Sequence, residues 1–406
     1  MEYPVVSLSD CCEIKPPKSE AKKLLKPDEL VSFVPMALLG INRKGLALDK
    51  DKKLADVSGS YTYFADNDVL LAKITPCFEN GKLGIAQGLT NGIGFGSSEF
   101  IVFRPNQYLE TDYLYYFLNQ SSFRDHGKAL MTGAVGHKRV PKDFIQNTQI
   151  PLPPIPEQQR IVAILDQAFA DIERARANAE KNLKNARELF DSYLNQVFSQ
   201  RGEGWVEEVL GRVCDVRDGT HDSPKYVDEG IPFITQKNIR TDGLSFEKTK
   251  FISETDHMKF YKRSNVTHGD ILISMIGVNR GMACVVDDHR IFSIKNVGLI
   301  KKALNINPLY LLFYLKSHTA KKYIESESRG GAQPFIGLTK LRAFPVLLAS
   351  PEEQEEVVSK LTLIEARTEN LVLIYETKLK SLEELKKSLL QKAFSGELTK
   401  TEGQAA

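Results

Sequence analysis

The sequence is poor in the residues that most often advertise chemistry. Its 406 residues include one tryptophan, five cysteines and seven histidines. Cys11, Cys12, Cys77, Cys214 and Cys284 are odd in number and form no Cys-x-x-Cys pair, which argues against a disulfide framework and against a zinc site. No apolar run approaches the roughly 20 residues needed to span a bilayer. The first residues also lack a basic, apolar, small-residue leader pattern, so the chain is expected to stay in the cytoplasm with no membrane partner. A Gly-x-x-x-x-Gly-Lys-Ser/Thr phosphate loop and a Gly-x-Gly-x-x-Gly cofactor turn are both missing. Charge of one sign is missing too: 54 lysines and arginines face 52 acids, a formal net charge of +2. Residues 1–150 carry 18 basic and 17 acidic side chains and residues 202–348 carry 21 and 17, while residues 349–406 are acidic. That small excess fits nucleic-acid contact by the non-helical parts, and ordinary surface scatter would look similar.

What is present is a repeat. Ile161, Leu165, Ala168, Ile172, Ala175, Ala179, Leu183, Ala186, Phe190, Tyr193 and Val197 recur in steps of four and three, the seam of a helix that packs on another helix. Val357, Leu361, Ile364, Thr368, Leu371, Tyr375, Leu379, Leu382 and Leu389 make a second seam. Each slips once, with a step of four where three is due, at Ala179–Leu183 and at Tyr375–Leu379. The first opens with Pro156-Glu157-Gln158-Gln159 and the second with Ser350-Pro351-Glu352-Glu353-Gln354, which match, proline on proline, at an offset of 195. The duplication extends upstream. Tyr3, Leu8, Cys12 and Ile14 match Trp205, Leu210, Cys214 and Val216 at an offset of 202, as Asp68-Val69-Leu70 matches Asp270-Ile271-Leu272. Tyr113 and Leu118 match Tyr310 and Leu315 at an offset of 197.

The expected architecture is α+β: two mixed globular domains separated by two long antiparallel coiled-coil helices, related by a pseudo-twofold axis. The divisions are residues 1–150, a first long helix within 151–201, a second domain over 202–348, a second long helix within 349–398, and a tail over 399–406. Strand-like runs at 68–74 and 100–103 and a helix at 112–119 belong to the first domain. Prolines crowd residues 151–156 and close it. At about 1.5 Å per residue, some 40 residues make a rod of roughly 60 Å, enough to hold the two domains a fixed distance apart. DNA readers with such twofold symmetry bind two half-sites at a set spacing.

Three constellations imitate catalysis. Asn307-Pro308-Leu309-Tyr310 is similar to the Asn-Pro-Pro-Tyr motif of adenine methyltransferases, but it also reads as a helix start, with Asn307 as cap and Pro308 in the first turn. Its counterpart Glu110-Thr111-Asp112-Tyr113 keeps the helix start without the motif, which favours the cap. His221 between Asp218 and Asp222 reads as a polar turn before it reads as an acid–base cluster. Asp10, Glu20 and Lys22 read as a solvated loop, not a nuclease site.

With these residues in view, the chain resembles the specificity subunit of type I restriction–modification systems over essentially its whole length. The carriers are Pro151-Leu152-Pro153-Pro154-Ile155-Pro156-Glu157-Gln158-Gln159, Ser350-Pro351-Glu352-Glu353-Gln354 and the closing Ala393-Phe394-Ser395-Gly396-Glu397-Leu398. In the second domain they are Asp218-Gly219-Thr220-His221-Asp222-Ser223-Pro224, Gly230-Ile231-Pro232-Phe233 and Gly269-Asp270-Ile271-Leu272, and in the first Gly96-Ser97-Ser98-Glu99-Phe100 with Arg104-Pro105. The second helix departs from the pattern, with Leu347-Leu348-Ala349 where the first has Pro153-Pro154-Ile155.

The resemblance implies a non-catalytic prokaryotic DNA-binding subunit that holds no cofactor. It would bind double-stranded DNA at a bipartite, asymmetric target, one half-site per domain. Its partners would be two methyltransferase subunits using S-adenosylmethionine and restriction/translocase subunits using ATP and Mg. Candidate DNA contacts are polar and basic loop residues with donors for phosphates and base edges. In the first domain these are Lys73, Thr75, Asn80, Lys82 and Ser98, with His137, Lys138 and Arg139. In the second they are Thr220, His221, Lys225 and Tyr226, then Lys237, Asn238 and Arg240, and separately Arg280, Lys295 and Gln333. A stand-alone adenine methyltransferase and a coiled-coil scaffold without DNA binding are the alternatives.

Overall fold

The computed structural model describes residues 3–200, 202–329 and 334–399. Two helices of 45 residues dominate it, Ile155–Ser199 and Pro351–Ser395. Among the described residues, no helix is long and apolar enough to cross a membrane. The chain divides into two compact units: residues 1–179 with 377–406, and residues 180–376. The divisions within the long helices fall beside the two slips of the seam, just after Ala179 and just after Glu376.

In the first unit, strands Cys12–Ile14, Phe100–Pro105, Val69–Ala72 and Leu83–Ile85 form one antiparallel sheet in that spatial order. Val69, Leu70, Leu71 and Ala72 are all buried, because both faces of this strand are covered. That is why the run reads as continuously apolar instead of alternating. A second sheet is ordered Lys50–Lys53, Leu30–Val34, Ile93–Gly96, Thr62–Ala65, with its two central strands parallel. Val5–Ser7 pairs with Gln149–Pro151, and helix Thr111–Leu118 lies beneath with six consecutive buried residues. Leu8, Val69, Leu71, Phe103 and Tyr113 share one core with Ile161 and Leu165 of the first long helix and Leu390 and Ala393 of the second.

The second unit repeats this plan. Val216–Asp218, Val297–Ile300, Ile271–Ser274 and Ala283–Val285 form the first sheet in the same order. Lys250–Ile252, Ile231–Ile234 and Ser293–Ile294 form the second, of three strands, with Ile231–Ile234 and Ser293–Ile294 again parallel. Val206–Val209 pairs with Pro345–Leu348. The main departure is beside Ser293–Ile294, where helix Glu254–Ser264 stands and His257 Nδ1 lies 2.9 Å from Ser293 Oγ.

Within each unit the long helices run antiparallel. Glu173 meets Lys386 at 3.2 Å and Arg176 meets Glu383 at 3.2 Å in the first unit, and Arg187 meets Glu376 at 2.8 Å in the second. Ile161, Leu165, Ile172, Ala179 and Ala186 are buried as the seam requires. Near the helix ends the buried line moves by one residue, to Leu194 and Phe198 in place of Tyr193 and Val197, and to Val358 and Leu390 in place of Val357 and Leu389. There the globular core, not the partner helix, sets the buried face: Phe198 packs its ring 5.6 Å from Tyr310 and 5.2 Å from Tyr314. Lys386 occupies the seam position that an apolar pattern skips, nearly buried, with its ammonium over the Phe169 ring at 4.9 Å.

The proline-on-proline match between the two helix openings is corrected. Gln158 and Gln354 are the equivalent residues, one position out of step with the prolines. Gln158 accepts from the Glu110 N–H at 2.8 Å and donates to the Tyr108 and Pro153 carbonyls, both at 2.8 Å. Gln354 accepts from the Asn307 N–H at 2.8 Å and donates to the Asn305 and Ala349 carbonyls at 3.1 and 2.9 Å. A buried amide serving three backbone groups tolerates no shift, whereas proline fits more than one position of a first helical turn.

Candidate nucleic-acid interface

Each first sheet sends a central strand into a loop that is clasped by a later stretch of the chain. In the first unit the strand Val69–Ala72 continues through Lys73 to Thr75. The Val140 N–H donates to the Lys73 carbonyl at 3.0 Å, and the Thr75 N–H donates to the Lys138 carbonyl at 3.0 Å. In the second unit the Ile336 N–H donates to the Met275 carbonyl at 2.9 Å and the Gly277 N–H to the Pro334 carbonyl at 2.8 Å. The backbone clasp is the same and the side chains differ: Lys73, Thr75, Lys138 and Arg139 on one scaffold, Met275, Gly277, Pro334 and Phe335 on the other.

In the first unit this clasp gathers Lys73, Thr75, Ser98, His137, Lys138 and Arg139. Lys73 Nζ donates to the Ser98 carbonyl at 2.8 Å, and the Lys138 N–H donates to Thr75 Oγ1 at 3.1 Å. Arg139 forms a two-pronged pair with Glu99 at 2.9 and 2.8 Å, which holds the Glu99 carboxyl below its ordinary range. Residues 132–139 are all exposed. Partial burial and the neighbouring Lys15 and Arg139 charges pull the Lys73 ammonium down, against Glu99. Lys15, in a left-handed conformation, and Lys18, itself depressed by burial, Lys15 and Lys22, thus extend the basic surface. Neither is among the sequence candidates, although Lys15 sits at the position of Arg217 in the second copy. Asn80 is exposed on the following turn, and Lys82 is turned inward to donate to the Met36 carbonyl at 2.7 Å.

In the second unit the polar turn at 218–223 is built by close backbone approach. A side chain on Gly219 would come 2.4 Å from the Ile294 carbonyl oxygen. His221 is exposed, with Nδ1 2.7 Å from Asn296 Oδ1 and Nε2 3.1 Å from Asp218 Oδ2, while Arg263 pairs with the other Asp218 oxygen at 2.5 Å. Thr220 is buried and Lys295 Nζ donates to Ser223 Oγ at 2.6 Å. Tyr226, Lys237, Asn238, Arg240 and Lys295 line one cleft of about 540 Å³, joined by Gln236, Lys248, Lys250 and Asn296. The Asn238 amide is spent on the turn itself, accepting from the Thr235 N–H at 2.9 Å and donating to Ser245 O and Thr249 Oγ1. Lys225 is an exposed residue of the same loop. Arg280 is directed elsewhere, toward Ser328 Oγ at 2.9 Å and the Gly277 carbonyl. Gln333 lies outside the described residues.

The methyltransferase-like tetrapeptide is a helix cap. Asn307 Oδ1 accepts from the Leu309 N–H at 2.9 Å, Pro308 is the first helical residue, and the Tyr310 ring is buried with its hydroxyl donating to Leu347 O at 2.8 Å. Tyr113 makes the same bond to Pro151 O at 2.9 Å. Two buried ion pairs brace the scaffold at equivalent places. Asp68 is held by Arg104 through two bonds of 2.8 Å, and Asp270 by Lys301 at 2.5 Å. Glu20 is drawn into the first of these, 2.7 Å from Arg104.

The chain belongs to the type I restriction modification DNA specificity family, whose model matches residues 1–181 and again residues 202–384. It is 34% identical over 189 residues to the EcoAI specificity subunit of Escherichia coli and 34% identical over 214 residues to the EcoEI specificity subunit of that species. These alignments cover 46% and 52% of the chain, and the chain spans only about a third of the length of those two relatives, 32% and 35%. The MjaVIII specificity subunit of Methanocaldococcus jannaschii is 23% identical over 98% of the chain and 93% of its own length. The fold is that of the HsdS subunit from Thermoanaerobacter tengcongensis, with a TM-score of 0.71 at 20% identity over 98% of this chain and 97% of that one. A chain from a structure of the type I R-M system aligns with a TM-score of 0.77 at 21% identity, covering 98% of both.

Proposed function

We propose that the chain is a sequence-specific DNA-recognition subunit that reads a bipartite, asymmetric target, one half-site per domain, and performs no catalysis of its own. The observation that carries this reading is the repeated clasp: one backbone arrangement presents Lys73, Thr75, Lys138 and Arg139 in one copy and Met275, Gly277, Pro334 and Phe335 in the other. A shared scaffold with divergent tips is what reading two different half-sites requires. The long helices would set the distance between half-sites and dock two methyltransferase subunits, with restriction subunits joining for cleavage. Exposed apolar residues on them, Leu189, Leu363, Leu373, Ile374 and Leu385, support a docking role, because such side chains favour a partner over water. S-adenosylmethionine, ATP and Mg would then reside on the partners.

Co-expression with a cognate adenine methyltransferase, followed by mapping of methylated adenines, is expected to give two short half-sites around a fixed spacer. A continuous motif would overturn the two-domain assignment. Inserting four residues, roughly 6 Å of helix, into both long helices at their slips should lengthen the spacer by one or two base pairs and leave both half-sites unchanged. Altered half-sites at constant spacing would refute the ruler.

A further inference from the structure

The cleft in the second unit has a wall that the sequence pattern does not single out. Lys248 and Lys250 line it together with Lys237, Arg240 and Lys295, so five cations stand against one carboxylate, Glu247, which is already engaged by Arg240 at 2.9 Å. Among the described residues, Lys237, Lys248 and Lys250 have no carboxylate within ion-pair distance. Lys250 instead rests its ammonium 4.2 Å from the centre of the Tyr226 ring. The chain as a whole carries only +2. Strand Lys250–Ile252 is an edge strand, and lysines on edges can serve simply to discourage pairing with other chains. That role calls for charge on the edge alone. It does not call for three more cations lining the same cleft of about 540 Å³, or for the amides of Gln236 and Asn296 lining it with them.

We infer that this cleft seats a run of DNA phosphates beside the second half-site, with Lys237, Lys248 and Lys250 as the phosphate contacts and Tyr226 packed against the backbone they hold. The inference rests on the DNA-recognition reading above and assigns it a place. Unpaired lysines release condensed counterions when they neutralise phosphates, so their contribution appears in the salt dependence of binding and not in sequence preference.

The test uses the full chain, with its methyltransferase partner if the partner is needed for binding, and a random-sequence duplex pool. Each phosphate contact contributes roughly 0.9 to the slope of log affinity against log salt concentration. Lys248→Gln/Lys250→Gln should therefore flatten the slope by about 2. Lys321→Gln/Lys322→Gln, the same charge change away from the cleft, should leave it unaltered, and Lys248→Arg/Lys250→Arg should restore it. The motif selected from the pool should be the same in all four proteins. An unchanged slope, an equal change in the Lys321/Lys322 variant, or a shifted motif would each overturn the inference. Absence of DNA binding by the unsubstituted protein would instead overturn the recognition reading itself.

Discussion

Arg104→Ala is expected to destabilise the first unit by about 3–5 kcal/mol, measured by denaturant unfolding against the unsubstituted chain. Asp68 is essentially inaccessible to water, and Arg104 supplies two of its hydrogen bonds. What remains is one bond from the Ala65 N–H at 2.8 Å, too little for a buried charge. Burial already pushes the Asp68 carboxyl above its ordinary range, and Arg104 opposes that push. Without the guanidinium the folded-state value rises further above the unfolded one. Ionised Asp68 then costs folding free energy above its folded-state pKa, and the cost fades as pH falls and the carboxyl takes up a proton. The deficit of the variant should accordingly shrink between neutral pH and about pH 4. A deficit that grows on acidification would contradict the assignment. Lys301→Ala should cost less, because Asp270 keeps bonds from the Thr267 and Lys302 N–H groups at 2.7 and 3.0 Å.

Gln354→Ala should cost the second unit about 3 kcal/mol, from one backbone donor and two carbonyls left without their partner at a site closed to water. Gln354→Glu separates the two halves of the role. It keeps an acceptor for the Asn307 N–H but presents a second acceptor to the Asn305 and Ala349 carbonyls, so it should be at least as damaging as alanine. Gln158→Ala should act alike on the first unit. If Gln354→Ala melts with the unsubstituted chain, the glutamine is a passenger and the register of the duplication at the helix openings would again be undetermined.

The duplication, the class of fold, and the presence of both long helices were legible in the sequence, because each rests on periodic burial. A helix that hides one face must repeat about every 3.6 residues, and a second copy of the same pattern is visible without coordinates. The methyltransferase-like tetrapeptide could likewise be weighed against its counterpart in the first copy. Tertiary structure alone decided where burial stops following the helix seam, as at Phe198 and Leu390, since there the globular core and not the partner helix covers the side chain. It alone decided that Lys386 belongs to the seam and that Gln158 corresponds to Gln354 in the second copy, because a polar residue's place depends on partners distant in sequence. The same holds for the basic surface. Lys15 and Lys18 in the first unit and Lys248 and Lys250 in the second carry no local signature, and each pair joins the candidate residues of its own unit only through the folding of that unit.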